Sequence, residues 1–185
     1  MVSAKSSAQY IYETSKTSKS VKTYPNNAFA KQLKTTAEFI NSGLATKVYY
    51  VSMGGFDTHA GQSNRQARLL KTYAQAIDVF VADLEASDSF KDTLIVTFSE
   101  FGRRVQQNAA AGTDHGAASN LFIIGKNLKK PGFYNASPDL VNLDDNGDLK
   151  YAVDFRSVYA TLLDQWLDAS HSKILGKSFK TLNFI

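Results

Sequence analysis

The sequence predicts an α/β domain built on a mainly parallel sheet flanked by helices. Three observations carry that prediction. Residues 93–98, TLIVTF, are almost continuously apolar, as in a strand buried on both faces of a parallel sheet. Residues 47–53, KVYYVSM, form a second β-branched and aromatic run that stops at Gly54-Gly55. A long helical periodicity separates the two runs, so strand, helix and strand follow in the order of a right-handed βαβ unit.

The elements follow in chain order. Residues 1–24 are a leading polar segment enriched in Ser, Thr and Lys, with Lys5, Lys16, Lys19 and Lys22 among them. It reads as a solvated, helix-forming stretch rather than a polyanion-binding arm. Residues 25–185 then form one domain, as a length of 185 residues predicts. A chain of this size buries about 70% of its extended surface and needs no disulfide or structural metal to hold a core.

After the Pro25–Asn27 turn, Phe29, Leu33, Ala37 and Ile40 recur at helical spacing. Asn27 is the expected N-cap and Gly43 the expected stop. Residues 62–86 are the long amphipathic helix, with Leu69, Tyr73, Ile77, Phe80 and Leu84 along its stripe. After TLIVTF comes a polar loop of residues 99–120, then a short strand at Leu121–Ile124. The Asp144–Asp148 run lacks the downstream glutamate of a calcium loop, and its Asn-Gly pair reads as a turn. Phe155, Val158, Tyr159, Leu162, Leu163 and Trp166 mark a last core helix.

Composition narrows the function classes. A hydrophobic fraction of 43%, an aromatic fraction of 12% and three prolines exclude a disordered or collagen-like chain. The absence of cysteine excludes a disulfide scaffold, a cysteine nucleophile and a thiolate metal site. A net charge of +4 suits an anionic ligand but is too small to argue for nucleic acid. No apolar run approaches the ~20 residues of a membrane helix, and the first residues contain no h-region of a signal peptide.

Open α/β sheets bind ligands beyond the carboxyl ends of their strands. The loop after 47–53 carries Asp57 and His59; the loop after 93–98 carries Glu100, Arg103, Asp114 and His115. Two of the three histidines are therefore expected at one sheet edge, each beside an aspartate. Nitrogen and carboxylate donors without sulfur suit a divalent metal, zinc or manganese rather than calcium. Arg103 has the planar fork that binds phosphate or sulfate oxygens in pairs. The structural alternatives are a helix or turn cap at Asp57, an Asx-turn at Asp114, and an Arg103 ion pair with Glu100 or Asp154. His171 lies among Ser, Lys and Asp and reads as a surface residue.

These residues also carry a family resemblance. VYYVSMGGFDTHAGQ, TFSEFGRRVQQNAAAGTDHG and DFRSVYATLLDQWL closely resemble an uncharacterised bacterial family allied to the alkaline phosphatase and sulfatase superfamily. The likeness runs over about residues 25–170. It implies an alkaline phosphatase-like fold of which this chain is the C-terminal portion, because family members are about twice as long.

The resemblance further implies that Asp57 and His59 form a first pair of metal ligands and that Asp114 and His115 are later ones. Glu100 stands where the superfamily often has aspartate, and Asn108 would orient a ligand or loop. It implies export to the periplasm or cell exterior. The expected activity is hydrolysis of an anionic small-molecule or polysaccharide phosphate or sulfate ester. In the superfamily a serine or threonine nucleophile and a first metal aspartate lie in the preceding half. No residue here takes those places, so a preceding half or a partner chain is expected to complete the site. The rival expectation is a non-catalytic binding or assembly module that keeps the fold.

Overall fold

Helix α1 spans Ala4–Ser15 in the computed structural model, which describes residues 4–185. The first three residues of the expected leading segment, and the side chain of Lys5, lie outside what is described. The chain divides into two compact units, Met1–Thr93 and Leu94–Ile185, taken in turn.

In the first unit, α2 spans Ala28–Asn41 and α3 spans Gln62–Ala86, and the two pack together. Asn27 caps α2 as expected, its Oδ1 accepting from the Ala30 amide at 2.9 Å. Gly43, with φ +74°, takes the chain out of the helix. Ala30, Leu33 and Ala37 from α2 and Ala76, Ile77, Phe80 and Leu84 from α3 form the buried core. Phe29 and Tyr73 stack with ring centroids 6.1 Å apart.

The same core holds a carboxylate. Asp83 is fully buried beside Leu84, and the Tyr24 hydroxyl donates to its Oδ2 at 3.0 Å. Burial, reinforced by Asp83, pushes the Tyr24 hydroxyl well above its ordinary pKa, so it remains a donor. This contact ties the polar leading segment to α3.

Residues 47–53 carry no strand, although their composition predicts one. Val48 and Tyr50 are exposed. Side-chain propensity favours an extended backbone, but a strand exists only where its edge is hydrogen-bonded to a neighbour.

The second unit holds four short strands in two pairs. β1 (Ile95–Thr97) pairs antiparallel with β4 (Phe122–Ile124), Val96 facing Ile123. β2 (Gly102–Gln107) pairs antiparallel with β3 (Thr113–Gly116), Arg103 facing His115, with a bulge between Arg103 and Gln107. The stretch expected to be one polar loop is therefore largely a hairpin. Both pairs among the described residues are antiparallel, where the sequence predicts a mainly parallel sheet. Parallel neighbours need a long crossover, usually a helix. Between β1 and β4 the chain supplies a hairpin instead. None of the apolar residues of 93–98 is fully buried.

Helix α4 (Phe155–Thr161) continues as a π-helical turn, Leu162–Trp166, and α5 spans His171–Leu175. Val158, Ala160 and Thr161 are buried, whereas Phe155, expected in the core, is 57% exposed. Phe155 packs by its edge on Tyr159 instead. The Asp144–Asp148 run is a turn, as expected: Asp144 Oδ1 accepts from the amides of Asn146 and Asp148 at 2.9 and 2.8 Å. No helix among the described residues is long and apolar enough to cross a membrane.

Candidate functional site

The Gly-Gly-Phe-Asp-Thr-His segment leads into α3 and is fixed from within by Thr58. This threonine is 1% exposed. Its amide donates to the Phe56 carbonyl at 2.8 Å, and its hydroxyl accepts from Gln62 Nε2 at 2.9 Å. Gly55 sits at φ +101°, where a Cβ would reach within 3.3 Å of Leu69. The tight turn buries the middle residue and leaves its two neighbours facing out.

Those neighbours are Asp57 and His59. His59 Nε2 lies 2.9 Å from Asp57 Oδ1, with side-chain exposures of 48% and 64%. The pair meets at i, i+2 because the turn at Thr58 folds the backbone between them. The two atoms stand at hydrogen-bond distance. A metal ion bound to both at about 2.1 Å in tetrahedral geometry would need them roughly 3.4 Å apart. Opening the pair by about half an ångström at an exposed turn is a small adjustment, so the donor set fits a divalent ion.

In the second unit the candidates gather on the β2–β3 hairpin. His115 stands opposite Arg103 in the register and stacks flat on Phe101, with ring centroids 3.9 Å apart and planes 9° from parallel. The Arg103 guanidinium lies 5.0 Å from the centre of the Phe101 ring, and its Nη1 donates to the Thr113 carbonyl. Arg103 is thus held by the hairpin. Asp154 pairs instead with Arg156, whose guanidinium holds the aspartate below the usual carboxylate range.

Asn108 builds the hairpin tip. Its Oδ1 accepts from the amides of Ala110 and Gly112, both at 3.0 Å, and its Nδ2 donates to Asp114 Oδ1 at 3.2 Å. These bonds fix the loop between β2 and β3. Asp114 and His115 are exposed neighbours on β3, so their side chains leave opposite faces of the strand. Glu100 is exposed in the bend before β2. Asp57, His59 and His115 each present one ligand atom from an exposed side chain.

Sequence reasoning missed Phe101 and the burial of Thr58. Phe101 sits one residue from Glu100 and two from Arg103, and its stacking partner comes from the far side of a hairpin that local patterning does not reveal.

No curated protein and no solved structure matches this chain. The chain matches the family described as Protein of unknown function (DUF1501) over residues 3–175, and it belongs to that family.

Proposed function

We propose, from the resemblance that the GGFDTH, SEFGR and GTDHG motifs carry, that this chain holds the metal-binding part of a sulfatase- or phosphatase-like site. The observation that carries the reading is the Asp57–His59 pair, exposed and held 2.9 Å apart by a turn whose centre is buried. Asp57 and His59 would supply two ligands, and the family resemblance implies Glu100, Asp114 and His115 as further ligand residues of the family's site. Zinc or manganese fits these donors better than calcium. A bound divalent cation would polarise the ester oxygen of a phosphate or sulfate. Arg103, held against Phe101 and Thr113, would offset charge on the equatorial oxygens. Asn108 would keep the hairpin tip in place.

The reading also takes the fold to be alkaline phosphatase-like and the setting to be periplasmic or extracellular, as the family resemblance implies. The incomplete burial of 47–53 and 93–98 supports a sheet that gains strands from a further segment. That segment would bring the nucleophile. Thr58 cannot serve, because its hydroxyl is buried and committed to Gln62 and Phe56.

The expected result is a metal-loaded chain that turns over aryl phosphate and aryl sulfate at no more than a trace rate. Metal and arginine can sustain slow attack by water without a covalent route, as residual rates of ~10³–10⁴ over water in triad knockouts illustrate. The measurement is turnover with zinc and with manganese, using Asp57→Ala as the blank. A rate in the ordinary enzyme range of about 1–10³ per second, lost in that variant, would reveal a nucleophile within this chain. Failure of both the binding and the hydrolysis arms would favour a binding or assembly module. The strong exposure of Phe133 and Val141 is the observation on that side.

A further inference from the structure

His171 is not the idle surface residue its surroundings in the sequence suggest. It opens α5 with its side chain only 15% exposed and both ring nitrogens engaged. Nδ1 lies 2.7 Å from Asp164 Oδ2, and the His171 amide donates to Asp164 Oδ1 at 3.0 Å. On the other side, Nε2 accepts from the Phe179 amide at 3.2 Å. An amide can only donate, so Nε2 carries no proton and the ring is the neutral Nδ1–H tautomer.

The Phe179 contact fastens one end of residues 177–185. Further along, the Leu182 amide donates to the buried Thr161 hydroxyl at 2.7 Å, and the Phe184 carbonyl accepts from the Lys129 amide at 3.0 Å. Phe184 is buried and meets Tyr134 edge-on. The segment therefore straps α4 and the 125–154 stretch, and the histidine holds the strap where it begins.

We propose that His171 is a pH-operated latch on residues 177–185: neutral, it holds the Phe179 amide, and protonated, it releases it. Adding a proton to Nε2 places N–H against N–H and removes the only lone pair available to that amide. The same proton leaves the Nδ1–H···Asp164 contact in place and turns it into an ion pair. The charged groups around the ring bear on both states. Asp164 faces Nδ1, and its two bonds from His171 hold its carboxyl below the usual carboxylate range. Arg156, paired with Asp154, lies 5.0 Å from the centre of the Phe179 ring, and Lys177 lies 5.2 Å from it. Lys173 shares α5 with the histidine. Asp164 faces the imidazole at Nδ1 and the Phe179 amide faces it at Nε2.

The test is amide hydrogen exchange at Phe179 in the full chain, expressed as protection relative to the intrinsic rate, between pH 8 and pH 5. Protection should fall roughly fivefold, the equilibrium weight of one net hydrogen bond. Leu182, which bonds a hydroxyl that does not titrate in this range, should change less. His171→Gln removes the titrating group and should make Phe179 protection flat with pH, whatever its level. The Nε2 resonance of His171 in the unaltered chain should move from acceptor to protonated nitrogen in step with Phe179, a readout that needs no variant. Constant Phe179 protection while that nitrogen titrates, or an equal fall in His171→Gln, would overturn the latch.

Discussion

Gly102→Ala is expected to unfold the β2–β3 hairpin and cost about 3 kcal/mol or more, beyond the ~1–3 kcal/mol of ordinary overpacking. A Cβ at this position would lie 1.7 Å from the Ala118 carbonyl oxygen and 2.3 Å from its carbon. Both are backbone atoms, so no side-chain rotation relieves the clash. The register partner, Gly116, is nearly as confined, 2.8 Å from the Arg103 carbonyl carbon. Gly54→Ala is the matched control, since nothing lies within 4 Å of its Cβ. That control should stay within about 0.5 kcal/mol of the parent. Urea denaturation of the three proteins checks this, and equal midpoints for Gly102→Ala and Gly54→Ala would refute the close approach. The hairpin also carries Phe101, Arg103 and His115, so the first variant should lose the stacked arrangement together with its stability.

Zinc or manganese at ~100 times its dissociation constant should stabilise the chain by about 2.7 kcal/mol through mass action. For a chain of this length that corresponds to a rise of roughly 5–11 °C in melting temperature. The prediction rests on Asp57 and His59, exposed and already within 2.9 Å of each other, taking one metal ion between them. His59→Ala should abolish the rise and His171→Ala should preserve it. A melting temperature indifferent to zinc, manganese and chelator would leave the pair as a turn-stabilising contact.

The helices were legible in the sequence because their signals are local. Asn27 and Gly43 bracket α2 through their own side chain and backbone freedom, and the stripe from Ile77 to Leu84 has the period of a helix. The hairpin was not legible. Its residues, GRRVQQ and TDHG, are polar on both faces and nowhere alternate, so no period-2 pattern marks them. Residues 47–53 illustrate the opposite failure: strong strand composition with no strand, since composition cannot supply a hydrogen-bonded neighbour. Asp83 shows how long-range contacts escape sequence reasoning. It reads as a polar interruption of an apolar stripe, yet its partner is Tyr24, 59 positions away.

The candidate site divides along the same line. Asp57 and His59 are two residues apart, so their pairing needs only a turn, and the glycines before them announce one. Asn108 and Asp114 close a hairpin tip and are also local. His171 was misread because its partners, Asp164 and Phe179, stand seven residues before it and eight after. Its polar neighbours in sequence describe the exposed side of α5, and a helix of five residues is too short to show a face.

Metal binding at Asp57 and His59 is the central claim, and direct titration of the metal-free chain tests it most directly. Zinc and manganese should each be added to the parent protein, Asp57→Ala, His59→Ala and His171→Ala while bound metal is counted. One equivalent bound per chain, lost in the first two variants and retained in the third, is the predicted result. Undiminished binding in both Asp57→Ala and His59→Ala, or no binding by the parent, would contradict it.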